Sequence, residues 1–317
     1  MDKKIISVVV PCYNEENSIE EMYSRVLKVF ESLPKYDFEL IFADDCSPDS
    51  TWEKIAEVCE TDPRVTGYHN STNFGPVRNI VQALKYANGD AAFLLMGDLQ
   101  EPPETLPEFI SYWENGYEVV VGVHPNTMDK GFQNFCRKVY YKLIDNMSTS
   151  KLIQGFAYFG LYSRNFLDVL DKIEDSQPYF PGIVAEYAGK IKTVEIVQQE
   201  SKRGKSGQNF FKKYDQAMLG ITTYTKLMLR IATFLGVLIG IFAFLIALFS
   251  FVMKLIFWDS YPMGTPTIII GVFFLGAIQL FFMGILGEYV LSINERSKKR
   301  PLTSIDKSIN IHKEDKS

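Results

Sequence analysis

Four acidic positions stand where they could do chemistry: Glu15, the pair Asp44-Asp45, and Asp98. Asp98 follows the apolar run at 91–96, and Pro102 and Pro103 stop the chain soon after it. A short continuous apolar run bounded by Gly89-Asp90 and prolines suits a strand buried on both faces of a parallel sheet. Asp98 is therefore expected at a strand's carboxyl end. Ligands bind along that edge of an open α/β sheet, so an acid there is a candidate ligand for a metal ion that bridges to phosphate. Alone, Asp98 could as well cap the turn that follows it. Company decides: a nucleotide needs acceptors for its base edge and ribose, and its diphosphate needs a divalent cation or basic side chains. Carboxylates at several strand ends meet both needs. Asp44 and Asp49 also suit turn and helix capping.

The elements that must position these groups alternate along the chain. Apolar runs predict strands at 5–10, 38–43, 65–69, 91–96 and 118–123. Apolar residues at helical spacing predict helices at 19–30, 77–87 and 104–113, with another through Trp52, Ile55 and Val58. The alternation gives an α/β fold with right-handed crossovers and a mainly parallel sheet. Asn14-Glu15, Asp44-Asp45 and Asp98 then converge on one edge. A dinucleotide site of the Rossmann type is disfavoured, because the first strand-to-helix turn, Pro11-Cys12-Tyr13-Asn14-Glu15-Glu16, contains no glycine. No Walker A motif is present either.

At 317 residues with 47% hydrophobic content, the chain holds one large domain and something more, and its apolar residues gather towards the C-terminus. A net charge of -5 gives no reason to expect nucleic acid as a partner. Cys12, Cys46, Cys59 and Cys136 lack the spacing of a zinc site or the density of a disulfide scaffold, so they read as reduced thiols. The N-terminus lacks a signal peptide's apolar core, which places the first two thirds in the cytosol. Residues 231–253 and 267–287 carry no charge, and each is long enough to span a hydrocarbon core of about 30 Å. Lys226 and Arg230 precede the first run, and Arg296, Lys298, Lys299 and Arg300 follow the second; the positive-inside rule then puts both termini in the cytoplasm. Gln279, in mid-span, reads as a helix-to-helix hydrogen-bonding residue. Four regions are expected: a cytosolic domain at 1–206, interfacial amphipathic helices at 207–229, a transmembrane hairpin at 230–290, and a basic and polar cytoplasmic tail at 291–317 that is mobile after Pro301.

Several segments carry a resemblance: Val8-Val9-Val10-Pro11-Cys12-Tyr13-Asn14-Glu15-Glu16, Asp44-Asp45-Cys46-Ser47-Pro48-Asp49, Asn73-Phe74-Gly75, Gly97-Asp98-Leu99-Gln100-Glu101-Pro102-Pro103-Glu104, and Gly204-Lys205-Ser206. In this order and spacing they resemble glycosyltransferase family 2, and within it the polyprenyl-phosphate glycosyltransferases similar to dolichol-phosphate mannose synthase. The resemblance covers nearly the whole chain. It implies a GT-A-like, Rossmann-related domain followed by a two-helix transmembrane hairpin. It also implies an enzyme that moves a sugar from a nucleotide-sugar donor to a polyprenyl phosphate at the cytoplasmic leaflet, for cell-surface glycan or lipopolysaccharide modification. The expected location is the bacterial inner membrane.

Carried over residue by residue, the resemblance puts Pro11, Tyr13, Glu15, Asp45 and Asp98 in the nucleotide-sugar pocket. Asp45 would accept from the base, and Asp98 would be catalytic and the surviving half of the D-x-D motif that holds Mg²⁺ or Mn²⁺. Lys202, Arg203 and Lys205 would meet phosphate. The chain also departs from the pattern. Met96 stands at the first Asp of D-x-D, Tyr158 at an acidic position before Phe159, His124 at a basic one, and Ser201 and Gly207 at an Arg and a Lys near Gly204. Loss of a base matters less for a phosphate acceptor, which needs little deprotonation. Two alternatives stay open: a transferase with another lipid-linked acceptor, and a non-catalytic membrane scaffold that keeps the fold. The sugar, the nucleotide, the lipid length and whether copies associate as a homo-oligomer are not written in the motifs.

Overall fold

The computed structural model describes residues 3–123, 153–196, 227–257, 264–298 and 300–311. Apolar runs become strands β1 (Lys4–Cys12), β2 (Tyr36–Asp44), β3 (Val65–Asn70), β4 (Ala91–Leu94) and β5 (Val119–Val123). Three further strands complete an eight-stranded sheet: β6 (Phe156–Ser163), β7 (Ile191–Glu195) and β8 (Ile305–Ile309), in the order β7-β5-β6-β4-β1-β2-β3-β8. Neighbours β1–β2, β1–β4, β2–β3 and β5–β7 are parallel, whereas β6 runs antiparallel to both β4 and β5, and β8 antiparallel to β3. The sheet is thus mixed and mostly parallel.

Alternation along each buried strand divides the core into two layers. Val8, Val10, Leu40, Phe42, Phe93 and Leu95 face helices α1 (Ile19–Glu31), α2 (Thr51–Thr61) and α4 (Leu106–Glu114). Val9, Ile41, Ala43, Ala92 and Leu94 face α3 (Pro76–Lys85), α5 (Arg164–Asp171) and α6 (Phe180–Tyr187). Both faces are covered, which is why these strands read as unbroken apolar runs. An arginine serves this framework: the Arg164 guanidinium donates to the carbonyls of Ala87 (2.7 Å) and Gly89 (2.5 and 2.9 Å), pinning the turn into β4.

Two long helices follow, α7 (Leu227–Ile256) and α8 (Thr265–Ser297), in contact with one another. Within α8, the 22 residues Phe274–Glu295 are long and apolar enough to cross a membrane, and none of their most apolar window is buried. In α7 the corresponding apolar stretch is the shorter Ala232–Ile246, so one candidate span is found among the described residues where two were expected.

The polar tail expected at 291–317 needs correcting. Its first residues, to Ser297, continue α8, and after Pro301 the chain returns to the sheet. Leu302 and Thr303 are buried, Ser71 donates its N–H to the Ser304 carbonyl (2.8 Å), and β8 pairs with β3. The Asn310 amide then donates to the carbonyls of Cys59 (2.6 Å) and Val65 (3.0 Å). A polar strand pays here because it closes the exposed edge of β3 through backbone pairing, for which side-chain hydrophobicity is not required.

Candidate active site

The strand order reverses between β1 and β4, since the chain goes from β1 outward to β2 and β3 and then crosses back to β4. The crevice at such a switch point, beyond the strands' carboxyl ends, is where open α/β sheets bind ligands. Register brings the expected residues to this edge: Cys12 lies opposite Asp44, and Asp45 donates its N–H to the Cys12 carbonyl (3.0 Å). Gly97 crosses close beside the first loop, where a Cβ would lie 3.1 Å from both the Glu15 Cγ and the Pro11 carbonyl. A side chain at this position would crowd the two loops, and glycine relieves that contact. Each of the three loops turns through a non-glycine residue in the left-handed region, Asn14 (φ 58°), Cys46 (φ 58°) and Leu99 (φ 57°). Such conformations persist only where the surroundings hold them.

The surroundings do so through side chains of the β2–α2 loop. Three successive backbone N–H groups of the β1–α1 loop donate to it: Asn14 to Ser47 Oγ (3.0 Å), Glu15 to Thr51 Oγ1 (2.8 Å) and Glu16 to Asp49 Oδ2 (3.4 Å). Asp49 Oδ1 accepts from both the N–H and the hydroxyl of Thr51 (3.2 and 2.5 Å), in keeping with its reading as a cap. Asp44 is fully buried and accepts from the Ser47 hydroxyl and N–H, again as a cap. Burial pushes the Asp44 carboxyl above the usual carboxylate range, while its bonds to Ser47 and His69 pull the other way.

Among the predicted residues, Tyr13 is exposed at the edge, and Glu15 is buried and accepts from the Ser18 hydroxyl (3.0 Å). Asp45 is 3% exposed, and its carboxylate already accepts three bonds, from the Asn70 amide (3.0 Å), the Phe74 N–H (2.9 Å) and the Gly75 N–H (2.8 Å). It therefore clamps the loop between β3 and α3. An ionised carboxylate has about four lone-pair sites, so one remains for a ligand. Asp98 is half-buried, and its Oδ1 accepts the Gln100 N–H (3.2 Å). Met96 is half-buried and packs against the apolar layer under α3. Tyr158 sits at a bulge in β6 with φ 63°, its ring parallel to Phe180 at 6.0 Å and edge-on to Phe156 at 5.3 Å. Lys202, Arg203 and Lys205, together with His124, Ser201 and Gly207, lie outside the described residues.

No group of three or more His, Cys, Asp or Glu able to hold a metal occurs among the described residues. The one carboxylate at the D-x-D position, half-exposed Asp98, suits a hard cation that takes its other ligands from water and a diphosphate. Met96 offers such an ion no oxygen. Sequence reasoning missed His69, Asn70, Ser47 and Thr51. His69 and Asn70 end β3 just as the acids end β1, β2 and β4, and that position was the available signal.

A mixed, mostly parallel sheet with an acid-bearing switch point is the framework of a GT-A-like transferase. A family model described as Glycosyl transferase family 2 matches residues 7–170. The chain belongs to that family and is a glycosyltransferase. It is 33% identical to an uncharacterized glycosyltransferase, YkcC, of Bacillus subtilis, over 96% of this chain and 94% of that protein. It is 31% identical to the SfII prophage-derived bactoprenol glucosyl transferase of Shigella flexneri, over 96% of this chain and 98% of that one. Among solved structures, a mannosyltransferase of Pyrobaculum calidifontis in complex with GDP-Man and Mn2+ aligns with a TM-score of 0.46 and 17% identity, covering 70% of this chain and 63% of that one. That likeness is too distant to bear on the site.

Proposed function

We propose that this enzyme transfers a hexose-type sugar from a nucleotide-sugar donor to a polyprenyl phosphate, at the cytoplasmic leaflet of a bacterial plasma membrane. The observation that carries the reading is the pairing, in one chain, of an acid-bearing switch point with an apolar helix that returns directly into the same sheet through β8. The full-length match to a protein named for bactoprenol glucosyl transfer supports the acceptor class. In this reading, an oxygen of the acceptor phosphate attacks the anomeric carbon, the bond from that carbon to the donor diphosphate breaks, and the nucleoside diphosphate leaves. Tyr13, Pro11 and Glu15 line the nucleotide pocket, and Asp45 receives the base on its remaining lone pair. Asp98 holds Mg²⁺ or Mn²⁺, which when bound would neutralise the diphosphate. Lys202, Arg203 and Lys205 supply positive charge to phosphate.

The same proposal assigns residues 1–206 to the cytosolic domain, 207–229 to the interface, 230–290 to a hairpin with spans at 231–253 and 267–287, and both termini to the cytoplasm. The run of 231–253, uncharged between Arg230 and Lys254, supports the first of these spans.

The test is incubation of purified protein with a panel of nucleotide sugars and polyprenyl phosphate, with extraction of the lipid. Formation of a lipid-linked sugar is expected, and it should disappear in Asp98→Ala while folding is retained. Met96→Asp should lower the metal concentration needed for half-maximal rate. Nucleotide binding without any lipid-linked product would replace this reading by the scaffold, and full activity in chelator would remove the metal role of Asp98.

A further inference from the structure

Behind the nucleotide loop lies a chain of three side chains that the transfer reaction leaves unused. Ser47 Oγ accepts the N–H of Asn14, the left-handed residue between Tyr13 and Glu15, at 3.0 Å. The same hydroxyl donates to Asp44 Oδ1, and the other oxygen of Asp44 lies 2.6 Å from His69 Nδ1. Asp44 is fully buried, and the His69 ring is tilted against Trp52 at 5.1 Å.

Ser47 Oγ accepts the Asn14 N–H and gives its one proton to Asp44 Oδ1. With Asp44 ionised, its other oxygen accepts from His69 in the tautomer that carries the proton on Nδ1. The residue types are those of a hydrolase triad, but the order is different. There the imidazole touches the serine and removes its proton. Here the carboxylate stands between them, so the imidazole does not touch the serine.

We propose that His69 is a positioning residue for nucleotide binding, acting through Asp44 and Ser47 to fix the backbone turn that presents Tyr13 and Glu15. His69 touches no substrate in this arrangement. Its Nδ1–H keeps the buried carboxylate oriented, the carboxylate keeps the Ser47 hydroxyl aimed, and the hydroxyl keeps Asn14 in a conformation that non-glycine residues rarely adopt. The inference rests on the nucleotide-sugar reading above.

The experiment measures binding of uridine diphosphate and of guanosine diphosphate to the full chain in detergent, alongside donor KM and kcat, for the wild type and four variants. His69→Ala should weaken binding of the bound nucleotide about tenfold and raise donor KM similarly, the scale of one lost charge-assisted hydrogen bond, with kcat within about twofold. His69→Asn, whose Nδ2 can occupy the place of Nδ1, should recover most of the affinity; His69→Gln should not. Ser47→Ala breaks the same chain without touching β3 and should reproduce the His69→Ala split, which keeps the test decisive if His69→Ala misfolds. Wild-type binding that survives His69→Ala or Ser47→Ala unchanged, or His69→Asn no better than His69→Ala, overturns the positioning role alone. Failure of the wild type to bind either nucleotide overturns the nucleotide reading and this role with it.

Discussion

Asp45→Ala separates what the carboxylate does for the fold from what it does for a ligand. Removing it takes acceptors from the Asn70 amide and from the Phe74 and Gly75 N–H groups. Hydrogen bonds to a charged group are worth about 1.5–3 kcal/mol each. The loss is smaller than three times that, because Phe74 and Gly75 are only half-buried and their N–H groups can turn to water, while Asn70 keeps its bond to Asn79 (3.1 Å). We expect a cost of about 2–4 kcal/mol. For a domain of this size that lowers the melting temperature by roughly 5–15 °C. Asp45→Asn keeps one acceptor oxygen and should cost about half as much. Thermal melts of the two variants and the wild type, followed by nucleotide titration well below each melting point, give the two effects separately. A melting temperature within a degree or so of wild type for Asp45→Ala would show that the clamp on the 70–75 loop contributes nothing, and the reasoning would fail. If the clamp holds but nucleotide affinity is unchanged, the carboxylate serves the loop and not the base.

Three further outcomes follow from the geometry. Gly97→Ala puts a methyl 3.1 Å from the Pro11 carbonyl and the Glu15 Cγ, so it should cost about 1–3 kcal/mol and weaken nucleotide binding; an unaltered melt and affinity would mean the two loops are not tightly apposed. Ending the chain after Arg300 removes β8 and the Asn310 bonds, so the amides of β3 should lose protection in hydrogen exchange; equal protection would refute the strap. Asp62 is held below the ordinary Asp range, chiefly by side-chain bonds from Arg64 (2.8 and 3.0 Å), so its stabilisation is present above the ordinary Asp pKa and is lost as pH falls through the lower folded value. Arg64→Ala should therefore cost about 1–2 kcal/mol near neutral pH and progressively less as pH falls below the ordinary Asp pKa, and a cost independent of pH would contradict the pairing.

What could be read from the residues follows where the information lies. β1 to β5 announce themselves because each is covered on both faces and must be apolar throughout. β6 does not, although it lies inside the sheet: its phase is broken by the bulge at Tyr158, and Gly160 is required where a Cβ would sit 2.4 Å from the Val120 carbonyl. β8, Ile-Asp-Lys-Ser-Ile, is almost wholly exposed, so its composition matches a solvated tail, and only its partner β3 makes it a strand. Asp45, just beyond the end of β2, stands out in the sequence by its position alone. Its three donors come from 25 to 30 residues further along, a distance over which periodicity carries no signal.

Tyr158 bears on the chemistry more than any of the expected acids. At the position where the family resemblance implies an acidic residue, the ring lies parallel to Phe180 and edge-on to Phe156, in a cluster continued by Tyr162 and Phe166. A carboxylate there would lie among aromatic faces and pay for desolvation, and its pKa would rise. The tyrosine avoids that cost by packing, and an ordinary phenol, with a pKa of about 10, is not a base at neutral pH. Tyr158 therefore offers no carboxylate to deprotonate a sugar hydroxyl, whose proton must be taken in the transition state. The enzyme can use an acceptor that arrives as an anion, because a phosphate oxygen carries the nucleophilic charge already. The substitution that looks like damage on a hydroxyl-glycosylating transferase is therefore compatible with a polyprenyl phosphate. Tyr158→Asp provides the contrast: if it leaves the rate with polyprenyl phosphate within about twofold while lowering the melting temperature, the ring's work is packing; a gain of an order of magnitude or more would show that the reaction lacked a base after all.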